Sequence, residues 1–174
     1  MEKKGLFHIY CGDGKGKTSA AVGLAVRAAG SGMKVLFTQL MKSGNSSELA
    51  ELEKLDNIKV LRGPAVRGFS WNMSDEAKNA LCAETKAFLD DLRPKLAEYD
   101  MLVIDECCSA VTKGFMPLGS FLEFIASRPE GLELVITGRE PPEEIVAAAD
   151  YVSEIRKIKH PFDSGIKARR GIEF

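Results

Sequence analysis

Cysteine, histidine and tryptophan are scarce in this chain, and each scarcity closes a chemical option. There are 4 cysteines, 2 histidines and 1 tryptophan in 174 residues. Cys11, Cys82, Cys107 and Cys108 have neither the paired spacing of a zinc site nor the density of a disulfide scaffold. They read as buried or free thiols in a reducing compartment, and neither His8 nor His160 has more than a structural role. Charge of one sign is lacking too. Lys and Arg number 24 against 25 Asp and Glu, a net charge of −1, which gives no support for a general nucleic-acid or acidic-membrane binder. The densest basic cluster, Lys167, Arg169 and Arg170, is short and reads as a solvated edge or a phosphate neighbour. No apolar run approaches the roughly 20 residues that spanning a bilayer requires, and Met1–Gly5 leads into the first strand without an apolar signal core. The expectation is a cytoplasmic protein with neither nucleic acid nor membrane as partner.

What is present suffices for a core: 45% of residues are apolar, in a length within the roughly 100–200 residues of one domain. With no repeat or low-complexity linker, residues 1–174 are expected to form a single domain. The stretch Leu6 to Tyr10 reads as a short buried strand. Cys11-Gly12-Asp13-Gly14-Lys15-Gly16-Lys17-Thr18 follows, and a helix begins there. Strand, glycine loop and helix form the context in which a phosphate-binding loop works. Glycines let backbone N–H groups turn inward, and the helix start adds unpaired donors and a positive dipole end. Lys17 supplies a cation for phosphate oxygens, and the Thr18 hydroxyl is placed to ligate Mg²⁺. The usual spacing would put a glycine where Cys11 stands, so the match departs there.

Further along, Lys34–Gln39 reads as a second strand that delivers Gln39 and Lys42 to a loop, and Ile58–Leu61 as a third. Arg62 to Asn72 is broken by Gly and Pro, yet holds Phe69 and the lone Trp71, aromatics that either fold into the core or line a ligand site. Ser74-Asp75-Glu76 caps a long helix that Pro94 should kink or end. Met101–Ile104 is an apolar strand ending in Asp105-Glu106. A carboxylate at a strand end beside a phosphate loop holds Mg²⁺ directly or through water. If the strand continues, the two acids point opposite ways, and one of them is a direct ligand. Leu132–Thr137 is another buried strand, ending in Gly138-Arg139, where the arginine serves as an anion contact or a surface ion pair. Tyr151–Ile155 reads as a last central strand. Strands alternating with helices give a three-layer α/β sandwich with a mainly parallel sheet, of the P-loop NTPase (RecA-like) type. Ligands of such sheets bind at the carboxyl ends of the strands.

Five segments together resemble one family. They are Gly12–Thr18, Phe69-Ser70-Trp71, Val103-Ile104-Asp105-Glu106, Val135–Arg139 and the closing run Lys159–Ala168. In this order, over nearly the whole chain, they resemble the phosphate-loop ATP:corrinoid adenosyltransferases of vitamin B12 synthesis and salvage. The resemblance implies transfer of the 5′-deoxyadenosyl group of ATP to cobalt(I) of a corrinoid, with release of triphosphate. It also implies ATP held reversed in the loop, its ribose carbon toward the acceptor. Gly12, Asp13, Gly14, Lys15, Gly16, Lys17, Thr18 and Arg139 would bind the nucleotide, and Lys15 and Lys17 would stabilise the leaving triphosphate. Thr18 and Glu106, with Asp105 as their neighbour, would hold Mg²⁺. Phe69 and Trp71 would sit below the corrin ring and displace the lower axial ligand of cobalt(II), easing its reduction. A homodimer and a flavin-type electron donor complete the expectation. The competing readings are another P-loop kinase or ATPase, and a non-catalytic corrinoid or nucleotide carrier.

Overall fold

Short apolar runs separated by helices give a sheet of six parallel strands in the order β3-β2-β4-β5-β1-β6. The computed structural model describes residues 4–42, 46–66 and 73–173. The strands are β1 (Phe7–Cys11), β2 (Val35–Gln39), β3 (Ile58–Arg62), β4 (Met101–Asp105), β5 (Glu133–Thr137) and β6 (Tyr151–Glu154). The helices are α1 (Lys17–Gly30), α2 (Ser47–Leu52), α3 (Asp75–Leu92), α4 (Cys107–Thr112), α5 (Leu118–Ala126) and α6 (Glu143–Ala147). This is the expected α/β sandwich.

Strand alternation divides the core between the two faces. Val35 and Phe37 of β2, with Met101 and Val103 of β4, pack on Ala21, Ala25, Ala28 and Ala29 of α1 and on Leu49 and Leu52 of α2. Leu36, Leu102 and Ile104, on the opposite side of the same strands, join Leu89 and Leu92 of α3 and Phe121 and Phe124 of α5. The alanine stripe lets α1 lie close to the sheet, which fixes where its N-terminus emerges. Ser74 caps α3, its hydroxyl accepting from the Ala77 N–H at 3.3 Å. The helix stops at Leu92, and a tighter 3₁₀ turn, Arg93–Glu98, takes over around Pro94, which has no N–H to continue the ladder.

The order places β5 between β1 and β4. The glycine loop after β1 and the acids at the end of β4 therefore face one another across the end of one intervening strand, at the carboxyl edge. β6 differs from expectation. It is an edge strand hydrogen-bonded to β1 alone, with Tyr151 52% and Val152 46% exposed. Its polar second half, Ser153-Glu154, suits an edge that water can solvate. Among the described residues, no helix is long and apolar enough to cross a membrane.

Candidate active site

The loop after β1 turns through Gly12 at φ 101° and Gly16 at φ 121°, left-handed values that side-chain-bearing residues rarely adopt. Gly12 has a second reason to be glycine: a Cβ there would lie 2.4 Å from the Ile155 carbonyl oxygen. The loop is laced to the turns that follow β5 and β6. The Gly12 N–H donates to the Arg139 carbonyl at 2.8 Å, and the Gly14 N–H to the Ile155 carbonyl at 2.7 Å. The Asp13 carboxylate accepts from the Lys157 N–H at 2.9 Å, and this bond holds its carboxyl below the usual range. Gly16 at the head of α1 offers no side-chain cap, so the first-turn donors stay available to an anion.

Lys17 bends back over the loop, its Nζ donating to the Gly14 carbonyl at 2.7 Å. Burial and the neighbouring Arg139 charge lower its pKa, while Glu106, Asp13 and Asp105 pull the other way. Lys15 stands on the outer rim, 46% exposed, with its Nζ 3.3 Å from Glu173 near the C-terminus. Arg169 and then Lys15 hold the Glu173 carboxyl down to about 2. A triphosphate engaging Lys15 would have to take the place of this ion pair.

Asp105 forms the other wall. It is fully buried, and both carboxylate oxygens are occupied. Oδ1 accepts from the Thr18 hydroxyl at 2.9 Å and the Thr137 hydroxyl at 2.6 Å; Oδ2 accepts from Gln39 Nε2 and Lys42 Nζ, each at 2.9 Å. Burial pushes this carboxyl up. The Lys42 ammonium and the bonds from Thr137, Lys42 and Gln39 outweigh burial and hold it below its ordinary value. The strand does not run on into Glu106, as an opposite-facing pair would need. The chain turns left-handed there, at φ 61°, and the Glu106 N–H donates to the Thr137 hydroxyl at 2.9 Å. The turn rather than strand alternation therefore separates the two acids. Beside Thr18, a cavity of about 510 Å³ opens between Val22 of α1, Glu48 and the C-terminal turn at Ile172.

Loop and acids thus share one sheet edge, and the chain's likeness to known proteins is specific. A model of the ATP:corrinoid adenosyltransferase family BtuR/CobO/CobP matches residues 3–174. Corrinoid adenosyltransferase CobA of Salmonella typhimurium is 36% identical over 179 residues, spanning 100% of this chain and 88% of that protein. The corrinoid adenosyltransferase of Escherichia coli K12 is 34% identical over the same length, with the same coverage. That of Pseudomonas aeruginosa is 33% identical over 175 residues, 99% of this chain and 85% of the relative. The chain belongs to the ATP:corrinoid adenosyltransferase family.

The sequence-named residues Gly12–Thr18, Asp105, Glu106 and Arg139 of this adenosyltransferase-family chain gather at the carboxyl edge of the sheet. Phe69 and Trp71 lie outside the described residues. The donor set fits a hard dication. Thr18, Glu106 and Asp105 offer hydroxyl and carboxylate oxygens, the ligand chemistry of Mg²⁺, which takes few protein groups and fills its shell with phosphate and water. With all its bonds in place, Asp105 fits an outer partner orienting Thr18. Glu106, only one of whose oxygens is engaged among the described residues, by Ser109 at 2.7 Å, fits a direct one. The neighbouring thiols fit no such role. Burial pushes Cys107 well up and Cys108 to about 12, so neither is a ready thiolate.

The sequence reading gave no role to Thr137 or Glu48, and left Gln39 and Lys42 simply at a loop. Each is an ordinary polar residue at or just past a strand end or at a helix start; only the sheet order shows that Thr137, Gln39 and Lys42 meet Asp105, and Glu48 joins through Gln39 Nε2 at 3.3 Å. His160 meets the structural expectation: its Nδ1 accepts from the Phe162 N–H at 3.2 Å. His8 pairs with Glu133 at 2.6 Å and stacks on Tyr151.

Proposed function

We propose that this chain grips ATP by its triphosphate in the Gly12–Thr18 loop and presents the 5′ carbon to cobalt(I) of a corrinoid substrate. The cobalt electron pair forms the cobalt–carbon bond. The bond from C5′ to its phosphate oxygen breaks, and that oxygen leaves with its electrons on inorganic triphosphate. The nucleophile carries no proton, so no general base is required, consistent with inert thiols and two structural histidines. The loop N–H groups, Lys15, Lys17 and Arg139 would meet the charge that grows on the leaving oxygens. Thr18 and Glu106, steadied by Asp105, would hold Mg²⁺, which supplies electrophilic stabilisation of the same charge. Phe69 and Trp71 would face the lower side of the corrin. A single domain acting as a cytoplasmic homodimer, with a flavin-type reductant, completes the reading. The observation that carries it is a family match over essentially the full chain, in a protein whose phosphate loop and strand-end acids share one sheet edge.

The test is to incubate the protein with ATP, Mg²⁺ and chemically reduced cobalamin, follow the absorbance and identify the phosphate product. Triphosphate together with a light-sensitive cobalt–carbon bond is the expected result. ADP and phosphate would point to a kinase or ATPase, and binding without turnover to a carrier.

Trp71→Ala is expected to depress activity that starts from cobalt(II) far more than activity that starts from pre-reduced cobalt(I), because removing a lower axial donor matters for the reduction and not for the alkyl transfer. Parallel assays from the two oxidation states check this, and equal losses would count against an axial-ligand role.

A further inference from the structure

A protein cation stands beside two of the groups, Thr18 and Asp105, named for the divalent ion. Lys42 Nζ lies 2.9 Å from Asp105 Oδ2, 3.5 Å from Thr18 Oγ1 and 3.8 Å from Glu48 Oε1. It reaches this point because the chain leaves β2 through Met41, left-handed at φ 62°, whose N–H donates to the Pro64 carbonyl at 2.9 Å. Met41 and Glu106 are the two non-glycine residues with positive φ among those described, and both stand at this site. The Lys42 side chain is 30% exposed and the Asp105 side chain 0%, so the ammonium lies between a buried carboxylate and solvent. A dication approaching Thr18 and Asp105 would meet that ammonium within a few ångströms, where repulsion between like charges is strong.

We propose that Lys42 is an internal counter-ion. It reserves the divalent-cation position in the nucleotide-free protein and yields it only when triphosphate supplies oxygens for both cations. Lys42 is then a positioning residue that makes metal and nucleotide bind together, and it keeps the buried Asp105 charge neutralised between turnovers. The inference rests on the reading of this pocket as a metal–triphosphate site, and extends it to the order of binding.

Mn²⁺ is the probe, with free Mn²⁺ followed by electron paramagnetic resonance in the absence of nucleotide. The wild-type protein is expected to bind it weakly, Lys42→Met about tenfold or more tightly than wild type, and Lys42→Arg no more tightly than wild type. Added inorganic triphosphate should raise wild-type Mn²⁺ affinity and narrow the gap to Lys42→Met. A purely structural role for Lys42 predicts the opposite, since loosening the site would weaken the metal. Equal or weaker Mn²⁺ binding by Lys42→Met, or tight binding by the wild type without triphosphate, overturns the proposal. If thermal melting shows Lys42→Met to be unfolded, Lys42→Gln decides by the same criterion. Triphosphate release from ATP by the wild-type protein is measured alongside. Its failure would sink the adenosyltransferase reading while the Mn²⁺ comparison stands, and its success with no Mn²⁺ effect would sink the role of Lys42 alone.

Discussion

Lys17→Ala is expected to slow single-turnover adenosyl transfer by about 10²–10³-fold at saturating ATP, the usual loss when one preorganised charge-stabilising donor is removed. Lys17 is the lysine folded over the loop, with its Nζ on the Gly14 carbonyl, and it is partly desolvated beside Arg139. Its charge is therefore less screened than one on the rim. The leaving group carries several negative charges, and stabilisation increases as the C5′–oxygen bond breaks, so the loss should fall on the transfer step more than on ATP affinity. Lys15→Ala provides the contrast. Lys15 is about half exposed and already shared with Glu173, and a solvated charge contributes less, so its loss should be smaller and more salt-sensitive. Rapid mixing with pre-reduced cobalamin measures both. Equal losses, or a Lys17→Ala effect confined to ATP binding, would show that the inner lysine has no special part in the bond-breaking step.

The parts of this site that could be read in the sequence share a local cause. A glycine loop between a strand and a helix, or two acids after four apolar residues, is written in contiguous residues whose spacing carries the chemistry. The layers could be read for the same reason, since alternating strands and helices force a parallel sheet with covered faces. The sheet order is not local. In Tyr151–Glu154 the polar pair Ser153-Glu154 is too short a signal to tell a strand with one neighbour from a strand with two, and the run read as central forms the edge. The same limit hid the Asp105 network. Gln39 and Lys42 come from the end of β2 and the loop after it, Thr137 from the end of β5 and Thr18 from the start of α1, up to 119 positions apart in the chain. They converge only because β4 lies between β2 and β5. The left-handed turn at Glu106 was equally invisible, because glutamate has no preference for that conformation.

Asp105→Asn is expected to destabilise the protein by about 3 kcal/mol at neutral pH, toward the lower end for breaking a buried ion pair because Lys42 keeps some access to water. Four donors point at the two carboxylate oxygens. An amide with its oxygen toward Gln39 and Lys42 turns its N–H₂ to the Thr18 and Thr137 hydroxyls, which must then rotate from donating to accepting, and in either orientation the Lys42 ammonium loses its counter-charge. The pH dependence tests whether the carboxylate charge is the cause. Asp105 is held below its ordinary value in the folded protein, whereas in the unfolded chain it titrates near about 3.9. Its contribution is therefore complete above that value and is lost as the pH falls through the lower folded-state value. Urea unfolding at a series of pH values should show wild type and Asp105→Asn far apart near neutrality and converging in acid. Asp13, Asp90 and Glu173 are also depressed, but none of them contacts Asp105. They titrate alike in both proteins and cancel in the difference. Curves that stay parallel down to the acid limit would mean that shape rather than charge holds the end of β4. The Thr18, Gln39 and Thr137 contacts would then be packing around a carboxylate that contributes nothing by being ionised.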